Sequence, residues 1–249
     1  MIAFNALVLA GSRSAHDPVA VYAHAPHKAL IELQGQTLLA RVVGALRAAG
    51  AGRIAVVAGH PAVVAEAERL GVETLPQEEG PSLSVQAGLD RVGTPLVVTT
   101  ADHALLHPEW VRCFLADIPP YTDVAALVGE RTVIEAAAPG TKRTYINLAD
   151  GKWSGCNLFY FANAKALRVI DLWRRVEAER KHPLRMAMLL GLPMLFRYVT
   201  GHLSLAHAAS RLGQLAGVKA IIVRTPFGLA AVDVDKPADL DLVRKLVGA

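Results

Sequence analysis

The sequence predicts a single α/β domain built on a mainly parallel mixed sheet that is flanked by helices. Short runs of β-branched residues alternate with Ala- and Leu-rich segments of helical periodicity, which is typical of strands connected by covering helices. The run from Pro95 to Thr100 is continuously apolar, as expected for a strand that is buried on both faces. The 249 residues fit one large domain, and no repeat or linker divides them.

In the first half of the chain, β-branched runs typical of strands alternate with segments of helical periodicity. Residues 37–49 form the clearest predicted helix, because their apolar side chains recur every three or four positions and fall on one face. The predicted strands here are 3–9, 53–58, 71–75 and 95–100. The predicted helices are 37–49, 62–70 and 82–92, the last with Ser82 as its N-cap.

The second half is less regular. Its predicted strands are 124–128, 142–148, 155–161, 218–224 and 229–234, with the last two joined in a hairpin about residues 225–228. Its predicted helices are 164–179, about 186–200, 204–216 and 237–247. The final helix starts at Pro237, and proline fits the first turn of a helix.

Composition excludes several classes of protein. Hydrophobic residues make up 53% of the chain and charged residues 19%, so a large core is expected and intrinsic disorder is not. The two cysteines stand in no metal-finger spacing, and the apolar N-terminus lacks the features of a signal peptide, so we predict a cytoplasmic protein. The apolar run 186–196 is shorter than the roughly 20 residues of a membrane span.

The balance of charge favours an anionic partner. The net charge is +4 and the isoelectric point is about 9.2. The basic residues are scattered rather than gathered into a stripe with interleaved aromatics, which argues against nucleic acid. Nucleotides and phosphorylated metabolites fit this balance.

The segment Leu-Val-Leu-Ala-Gly-Ser-Arg, residues 7–13, runs from the end of the first predicted strand into a loop. Gly11 lets backbone N–H groups approach a ligand at the carboxyl end of that strand, where open α/β sheets bind nucleotides. Lys28, further along the loop, has the charge needed to neutralise phosphates. The alternative interpretation is an ordinary glycine turn and a solvated lysine.

Asp102 follows the buried strand 95–100 directly and is expected at the same edge of the sheet. Mg²⁺ prefers oxygen ligands and usually takes one or two from protein, so Asp102 is a candidate ligand. Near the C-terminus, Asp233 and Asp235 are predicted to share a face of an extended segment, and either is a candidate second ligand. Turn formation and helix capping are the alternatives for these aspartates.

Two further groups are candidates for binding. Ser82 and Ser84 stand at a helix start, where capping is the favoured interpretation on the residues alone. Lys142 and Arg143 are candidates for an acceptor phosphate, and Gly155 with Asn157 for its hydroxyl groups.

The order of these motifs resembles the nucleotidyltransferase superfamily. The segments are Leu-Ala-Gly near the start, Lys-x-Leu after a loop, Ser-Val-x-x-Gly-Leu, a strand ending Thr-x-Ala-Asp, and Asp-Val-Asp-x-Pro-x-Asp-Leu at the end. The chain looks most like molybdenum-cofactor cytidylyltransferase-like and methylerythritol-phosphate cytidylyltransferase-like proteins. The resemblance implies a Rossmann-like, GT-A-like fold of the nucleotide-diphospho-sugar transferases. It also implies one NTP transferase domain over residues 1–249, with a helical insertion on the acceptor side at about 164–217.

The resemblance also assigns roles to residues. It implies catalytic roles for Lys28, Asp102 and Arg13, and a Mg²⁺ cofactor held by Asp102 and Asp235. The implied nucleotide-binding residues are Leu9, Ala10, Gly11, Ser12, Arg13, Lys28, Ser84 and Asp102, and the expected acceptor-binding residues are Arg143, Tyr145, Gly155 and Asn157. The sequence departs from the family pattern at Ser12, where a second glycine is usual, and at Lys236, where a threonine is usual.

The expected activity is Mg²⁺-dependent transfer of NMP from an NTP, with CTP favoured, to a phosphorylated small-molecule or lipid-precursor acceptor. Two alternatives stay open at this point: a glycosyltransferase that uses a nucleotide-sugar, and a non-catalytic nucleotide-binding or membrane-surface protein. The basic and apolar segment 181–198 motivates the second alternative, since it has the composition of a peripheral membrane contact or a homodimer face.

Overall fold

The computed structural model of the protein describes residues 2–12, 17–179 and 191–248. An eight-stranded mixed sheet forms its centre. This arrangement confirms the predicted fold class.

The strands of this sheet are β1 Phe4–Leu9, β4 Ala51–Ala58, β5 Glu73–Pro76, β6 Leu96–Thr100, β7 Val124–Glu130, β8 Ile146–Leu148, β9 Gly151–Phe161 and β10 Ala220–Thr225, and a small separate hairpin is formed by β2 Glu32–Leu33 and β3 Gln36–Thr37. The helices are α1 Pro18–Tyr22, α2 Leu38–Ala49, α3 Pro61–Arg69, α4 Pro81–Val92, α5 Pro108–Ala116, α6 Arg131–Ala137, α7 Ala166–Glu179, α8 Leu192–Val199, α9 Leu205–Ala216 and α10 Pro237–Val247, with 3₁₀ helices at Lys28–Leu30 and Gly228–Ala231.

Across the sheet the strands follow the order β10-β7-β9-β6-β1-β4-β5, with β8 paired with β9, and they do not all run in the same direction. β1 is parallel to β4 and to β6, and β7 is parallel to β10. β9 is inserted between β6 and β7 and is antiparallel to both. The carboxyl ends of β1, β4 and β6 therefore meet at one edge, and the amino-terminal part of β9 reaches the same edge from the opposite direction.

Side chains alternate between the two faces of β1, as the geometry of a strand requires. Ala6 and Val8 pack into one buried cluster, with residues of α2, α3 and α5. Leu7 packs into a second cluster, with residues of α4 and α7. The sheet is thus buried on both faces, which explains why its central strands are continuously apolar in sequence.

Gly88 allows α4 to lie unusually close to β1. A Cβ atom at this position would lie 2.3 Å from a terminal methyl carbon of Leu7, a distance that real contacts do not reach. The glycine of the Ser-Val-x-x-Gly-Leu motif is therefore required for packing between the helix and the sheet.

Four details of the predicted secondary structure are wrong. Residues 229–234 form no closing strand or hairpin, because the 3₁₀ helix Gly228–Ala231 leads into an extended segment. Only Ile146–Leu148 of the predicted strand 142–148 is paired. Helix α4 begins at Pro81 with Gly80 as its N-cap, so Ser82 lies inside the first turn. Helices α1, α5 and α6 and the hairpin of β2 and β3 were not predicted from the sequence.

Helix α8 is poorly packed on the domain. Leu192 and Phe196 are each 70% exposed and Val199 is 76% exposed, although these residues form one face of the helix. The predicted helix 186–200 falls partly outside the described residues, and within them it begins at Leu192. Among the described residues, no helix has the length and apolar character needed to cross a membrane.

Candidate active site

The candidate site lies at the edge of the sheet where β1, β4 and β6 end. Leu9 pairs with Val57 on one side and with Thr100 on the other, so the three strands end at the same level. Backbone bonds extend this alignment past the strand ends, since the Ala10 N–H donates to the Val57 carbonyl at 2.9 Å and the Ala101 N–H to the Leu9 carbonyl at 3.0 Å. The loops after all three strands therefore face one space.

Gln77 closes the glycine loop that follows β1. Its Oε1 accepts from the Ser12 N–H at 3.3 Å, and its Nε2 donates to the Ser12 carbonyl at 3.0 Å. The side chain lies against two glycines, because a Cβ on Gly11 would meet Gln77 Cδ at 2.8 Å and a Cβ on Gly59 would meet Gln77 Oε1 at 3.0 Å. A planar amide thus occupies the surface formed by the two glycines. Arg13 lies outside the described residues.

Lys28 brings together the two aspartates that the sequence separates by more than a hundred residues. Its Nζ lies 2.6 Å from Asp102 Oδ2 and 3.4 Å from Asp235 Oδ1. Lys28 starts a 3₁₀ helix whose N-cap is His27, which accepts the Ala29 N–H through Nδ1 at 3.1 Å. The backbone also joins the two carboxylate segments, since the Val234 N–H donates to the Asp102 carbonyl at 3.1 Å.

Lys28, Asp102 and Asp235 combine one basic side chain with two acidic ones, so this group has a surplus of negative charge that suits a further cation. Burial disfavours the ammonium of Lys28, but Asp102 and Asp235 outweigh burial and raise its pKa. Partial desolvation, together with the carboxylates of Asp233 and Asp102, raises the pKa of Asp235 even though Lys28 opposes the shift. The side chain of Asp235 is 59% exposed, so we attribute more of this shift to the two neighbouring carboxylates than to burial.

The residues present fit a magnesium ion. Asp102 Oδ1 is buried and has no hydrogen-bond partner in the described part of the chain, which leaves one carboxylate oxygen available. No group of three or more histidine, cysteine or acidic residues with metal-binding geometry occurs among the described residues. Two carboxylates suit Mg²⁺, which takes its other ligands from phosphates and water.

His103 supports the turn and does not contribute charge. It is 1% exposed, and burial lowers its pKa to about 4. Its Nδ1 lies 3.3 Å from Thr99 Oγ1. A neutral buried imidazole of this kind fixes the turn that presents Asp102.

A second polar group lies beside the first. The Arg143 guanidinium and the Asn157 amide donate to the two carboxylate oxygens of Asp233. The side chains of Arg143 and Asp233 are only 11% and 6% exposed. Burial disfavours the charge of Arg143, but Asp233 outweighs burial and raises its pKa, so this guanidinium is a fixed cation.

Asn157 is held in an uncommon conformation. Its φ is 47°, in the left-handed region, and it lies where the register between β7 and β9 shifts. Bulges of this kind redirect a side chain, and strained residues persist when their surroundings fix them. Here the redirected amide reaches Asp233.

Comparison with known proteins identifies the family. The model of the MobA-like NTP transferase domain matches residues 6–198, which include most of β1, the Gly11 loop, Lys28 and Asp102. The chain belongs to the MobA-like NTP transferase family. In the comparison with curated proteins, none matches.

Solved structures agree with a MobA-like NTP transferase domain. A hypothetical transferase from Thermus thermophilus is 32% identical with a TM-score of 0.82, and the match covers 96% of this chain and 100% of that one. A CMP:2-keto-3-deoxy-manno-octonic acid synthetase complexed with CTP has a TM-score of 0.61 at 16% identity, with 98% of both chains covered. The CTP:phosphocholine cytidylyltransferase of Streptococcus pneumoniae has a TM-score of 0.58 at 11% identity, again with 98% of both chains covered. The last two likenesses concern the fold alone.

The remaining predicted site residues of this NTP transferase domain are placed as follows. Ser84 is 4% exposed and its Oγ accepts the Glu78 N–H at 3.3 Å, so it supports the loop that carries Gln77. Tyr145 has a buried hydroxyl group without a partner in the described residues, and the guanidinium of Arg131 lies 5.6 Å from its ring. A Cβ on Gly155 would meet no atom within 4 Å, so the space above it is open.

Sequence reasoning missed Gln77 and the role of Asp233. Glutamine belongs to no motif that we recognised, and its contact with Ser12 spans 65 positions of sequence. Asp233 was predicted to share the environment of Asp235. Its bond to Asn157 depends on a bulge in β9 that has no sequence signal, and its bond to Arg143 joins residues 90 positions apart.

Proposed function

We propose that this NTP transferase moves NMP from an NTP to a phosphorylated acceptor, with Mg²⁺ as cofactor and CTP as the first substrate to test. The observation that supports this most is the convergence of Asp102 and Asp235 on one cation, the Lys28 ammonium, beside the glycine loop. A site with two carboxylates and a lysine suits phosphoryl-type chemistry, in which positioning and charge stabilisation do most of the work.

The nucleobase is proposed to bind against the Gln77 amide that covers Gly11 and Gly59. The bonds to Ser12 use one N–H and one oxygen lone pair of this amide, so a second donor and a second acceptor site remain. The same two functions are present on the edge of a pyrimidine, so Gln77 is our candidate for reading the base. Gln77→Ala is expected to raise the KM for the NTP about tenfold and to weaken discrimination between CTP and the other NTPs.

The polyphosphate is proposed to lie between the glycine loop and Lys28. Asp102 and Asp235 would hold Mg²⁺, which supplies charge neutralisation at the α-phosphate when it is bound there. Lys28 then turns its ammonium from the carboxylates to the phosphates and stabilises the departing pyrophosphate. Arg13 is proposed to assist Lys28, on the strength of its place in the same loop.

The acceptor is proposed to bind at the second polar group. Arg143 is a cation fixed by Asp233, Asn157 donates to the same carboxylate, and Tyr145 lies two residues after Arg143 in the chain. The open space above Gly155 leaves room for a small molecule there. An oxygen of the acceptor phosphate attacks the α-phosphorus in line, the bond from the α-phosphorus to the bridging oxygen breaks, and pyrophosphate leaves. This mechanism requires no side-chain nucleophile.

The direct test is release of pyrophosphate from the four NTPs with Mg²⁺ and a panel of phosphorylated alcohols and sugars. Asp102→Asn is expected to lower turnover by about 10³-fold or more while the circular dichroism spectrum stays unchanged. A suitable control is Asp171→Asn, since Asp171 is exposed on α7 and pairs with Arg174. Full activity of the Asp102→Asn protein would refute the proposed metal role.

A glycosyltransferase is less well supported. Such enzymes on related folds use an Asp-x-Asp motif after the central strand, and this chain has Asp102-His103-Ala104 there. If a nucleoside diphosphate-sugar bound more tightly than every free NTP in calorimetric titrations, this alternative would replace our proposal.

Helix α8 supports a peripheral contact as a property additional to catalysis. The helix combines an exposed apolar face with the basic side chain of Arg197. This composition suits contact with the surface of an anionic bilayer or with a second copy of the chain. Co-sedimentation with anionic vesicles, compared between the wild-type protein and a Leu192→Ser/Phe196→Ser variant, tests the membrane contact. Analytical ultracentrifugation of the same pair tests the dimer.

A further inference from the structure

A cleft of about 520 Å³ lies outside the candidate active site. It is bounded by one side of α2, by Leu70 at the end of α3 and by Pro108 at the start of α5. Its volume falls within the range of roughly 300–1,000 Å³ that is usual for small-molecule sites. None of the residues lining it is acidic, whereas two are arginines.

Arg41 supplies the positive charge of this cleft. Its Nε donates to the Ala104 carbonyl at 3.0 Å, and no carboxylate lies within ion-pair distance of it in the described ranges. The other arginine, Arg69, is already bound to Glu66 by two hydrogen bonds of 2.6 and 2.9 Å. The terminal amino groups of Arg41 therefore remain to form a forked pair of bonds with a planar or tetrahedral oxyanion.

Gly44 provides an independent indication of a ligand. It lies inside α2, where glycine costs roughly 1 kcal/mol relative to alanine. A Cβ at this position would meet no atom within 4 Å, so packing inside the protein does not require the glycine. Ala40 lies one turn earlier and is also small, so this side of the helix is flat enough for a ligand to approach the backbone closely.

The rest of the lining determines the kind of ligand. Leu70, Leu106 and Pro108 give the cleft an apolar wall next to the guanidinium of Arg41. We propose that this cleft is a second ligand site, which binds a small organic oxyanion: a phosphate or carboxylate attached to an apolar body. Arg41 binds the anion, and the surface formed by Ala40, Gly44 and Leu106 receives the apolar part.

The site has a direct connection to the catalytic edge. The Ala104 carbonyl that Arg41 holds lies two residues after Asp102, in the same turn. A ligand that draws the Arg41 guanidinium towards the cleft therefore acts on the segment that presents Asp102. This connection makes the site suitable for regulation by a phosphorylated or carboxylated metabolite.

Calorimetric titration of the full chain with phenyl phosphate tests the proposal, with benzoate, inorganic phosphate and phenol as comparison probes. We expect phenyl phosphate or benzoate to bind more tightly than inorganic phosphate and phenol, because only they combine the anion with an apolar body. The stronger of the two identifies the preferred anion. No NTP is needed, so the outcome is independent of the transfer reaction.

Two variants test the location. Arg41→Gln and Gly44→Leu should each weaken binding at least tenfold, and Gly44→Leu leaves the bond between Arg41 and Ala104 in place. Arg112→Gln is the matched control, since Arg112 also donates to one backbone carbonyl, that of Ala48, and does not line the cleft. Lys28→Met should bind the probe as the wild type does. The proposal is overturned if neither organic anion binds the wild-type protein, if both cleft variants bind normally, or if Lys28→Met abolishes binding.

Discussion

The ammonium of Lys28 lies 2.6 Å from the carboxylate of Asp102, and the same ammonium reaches Asp235 at 3.4 Å. A lysine thus neutralises the two groups that we propose as magnesium ligands. Without nucleotide, the proposed metal and Lys28 would compete for the same two carboxylates. With nucleotide, the phosphates would offer Lys28 a different anionic partner, so binding of the metal and of the polyphosphate would support each other.

Replacement of Lys28 by methionine should separate its competition with the metal from its stabilisation of the leaving pyrophosphate. In Lys28→Met, Mg²⁺ alone is expected to raise the melting temperature more than in the wild type, because the competing cation is gone. Pyrophosphate release should nevertheless fall about 100-fold, since a stabilising charge on the leaving group is lost. Lys165→Met is the control, because Lys165 pairs with Asp123 away from the site. An unchanged response to Mg²⁺ would show that Lys28 does not compete with the metal.

The carboxylate of Asp123 should make the free energy of unfolding depend on pH in the acidic range. It is 4% exposed and accepts from the Lys219 N–H at 2.9 Å, from Asn163 Nδ2 at 2.8 Å and from Lys165 Nζ at 3.2 Å. The bond from the Lys219 backbone, with those from Asn163 and Lys165, lowers its pKa in the folded protein. Its stabilising effect is therefore complete above the unfolded pKa of about 4 and is lost as the pH falls through the lower folded value.

Urea unfolding at a series of pH values measures this effect. We expect the free energy of unfolding of the wild type to fall below about pH 4 more steeply than that of Asp123→Asn, which has no such carboxylate. Parallel pH profiles for the two proteins would contradict the assignment.

The left-handed backbone of Asn157 should reverse the usual order of stability of its alanine and glycine variants. Both Asn157→Gly and Asn157→Ala remove the bond to Asp233, but only glycine accepts a φ of 47° without strain. The glycine variant should therefore be more stable than the alanine variant by about 1 kcal/mol, measured by thermal or urea unfolding. In most strand positions the order is reversed, so a more stable alanine variant would argue against the left-handed conformation.

Two helical glycines should respond oppositely to the same change. Gly88→Ala places a methyl group against Leu7 and is expected to cost about 1–3 kcal/mol of stability. Gly44→Ala meets no atom and should stabilise the protein by about 0.5–1 kcal/mol. Urea unfolding of the two variants gives both values in one experiment, and each serves as the control for the other.

The fold class was predictable from the sequence, and so was the position of Asp102, because the ends of parallel strands meet at one edge. The convergence of Asp235 with Asp102 was expected from the order of the motifs, since none of the described strands leads to Asp235. The partners of individual polar groups were not predictable. Asn157 reaches Asp233 only because β9 has a bulge, and Gln77 reaches Ser12 only because β5 lies next to β4. Residues 229–234 are apolar except for Asp233 and were therefore predicted as a strand, but Gly228 packs against the Val133 carbonyl and begins a 3₁₀ helix instead.

The opposite direction of β9 has a consequence for how such proteins can be redesigned. Most groups proposed to handle the nucleotide follow β1, β4, β5 or β6, whereas Arg143 and Asn157 belong to the segment that enters and forms β9. The two halves of the proposed reaction are thus carried by different stretches of chain, which are joined at Asp233, bound by Arg143 and Asn157, and at Asp235, bound by Lys28. Grafting residues 142–157 from a relative should exchange the recipient molecule while the donor nucleotide stays the same, which makes this scaffold a modular starting point for new conjugates.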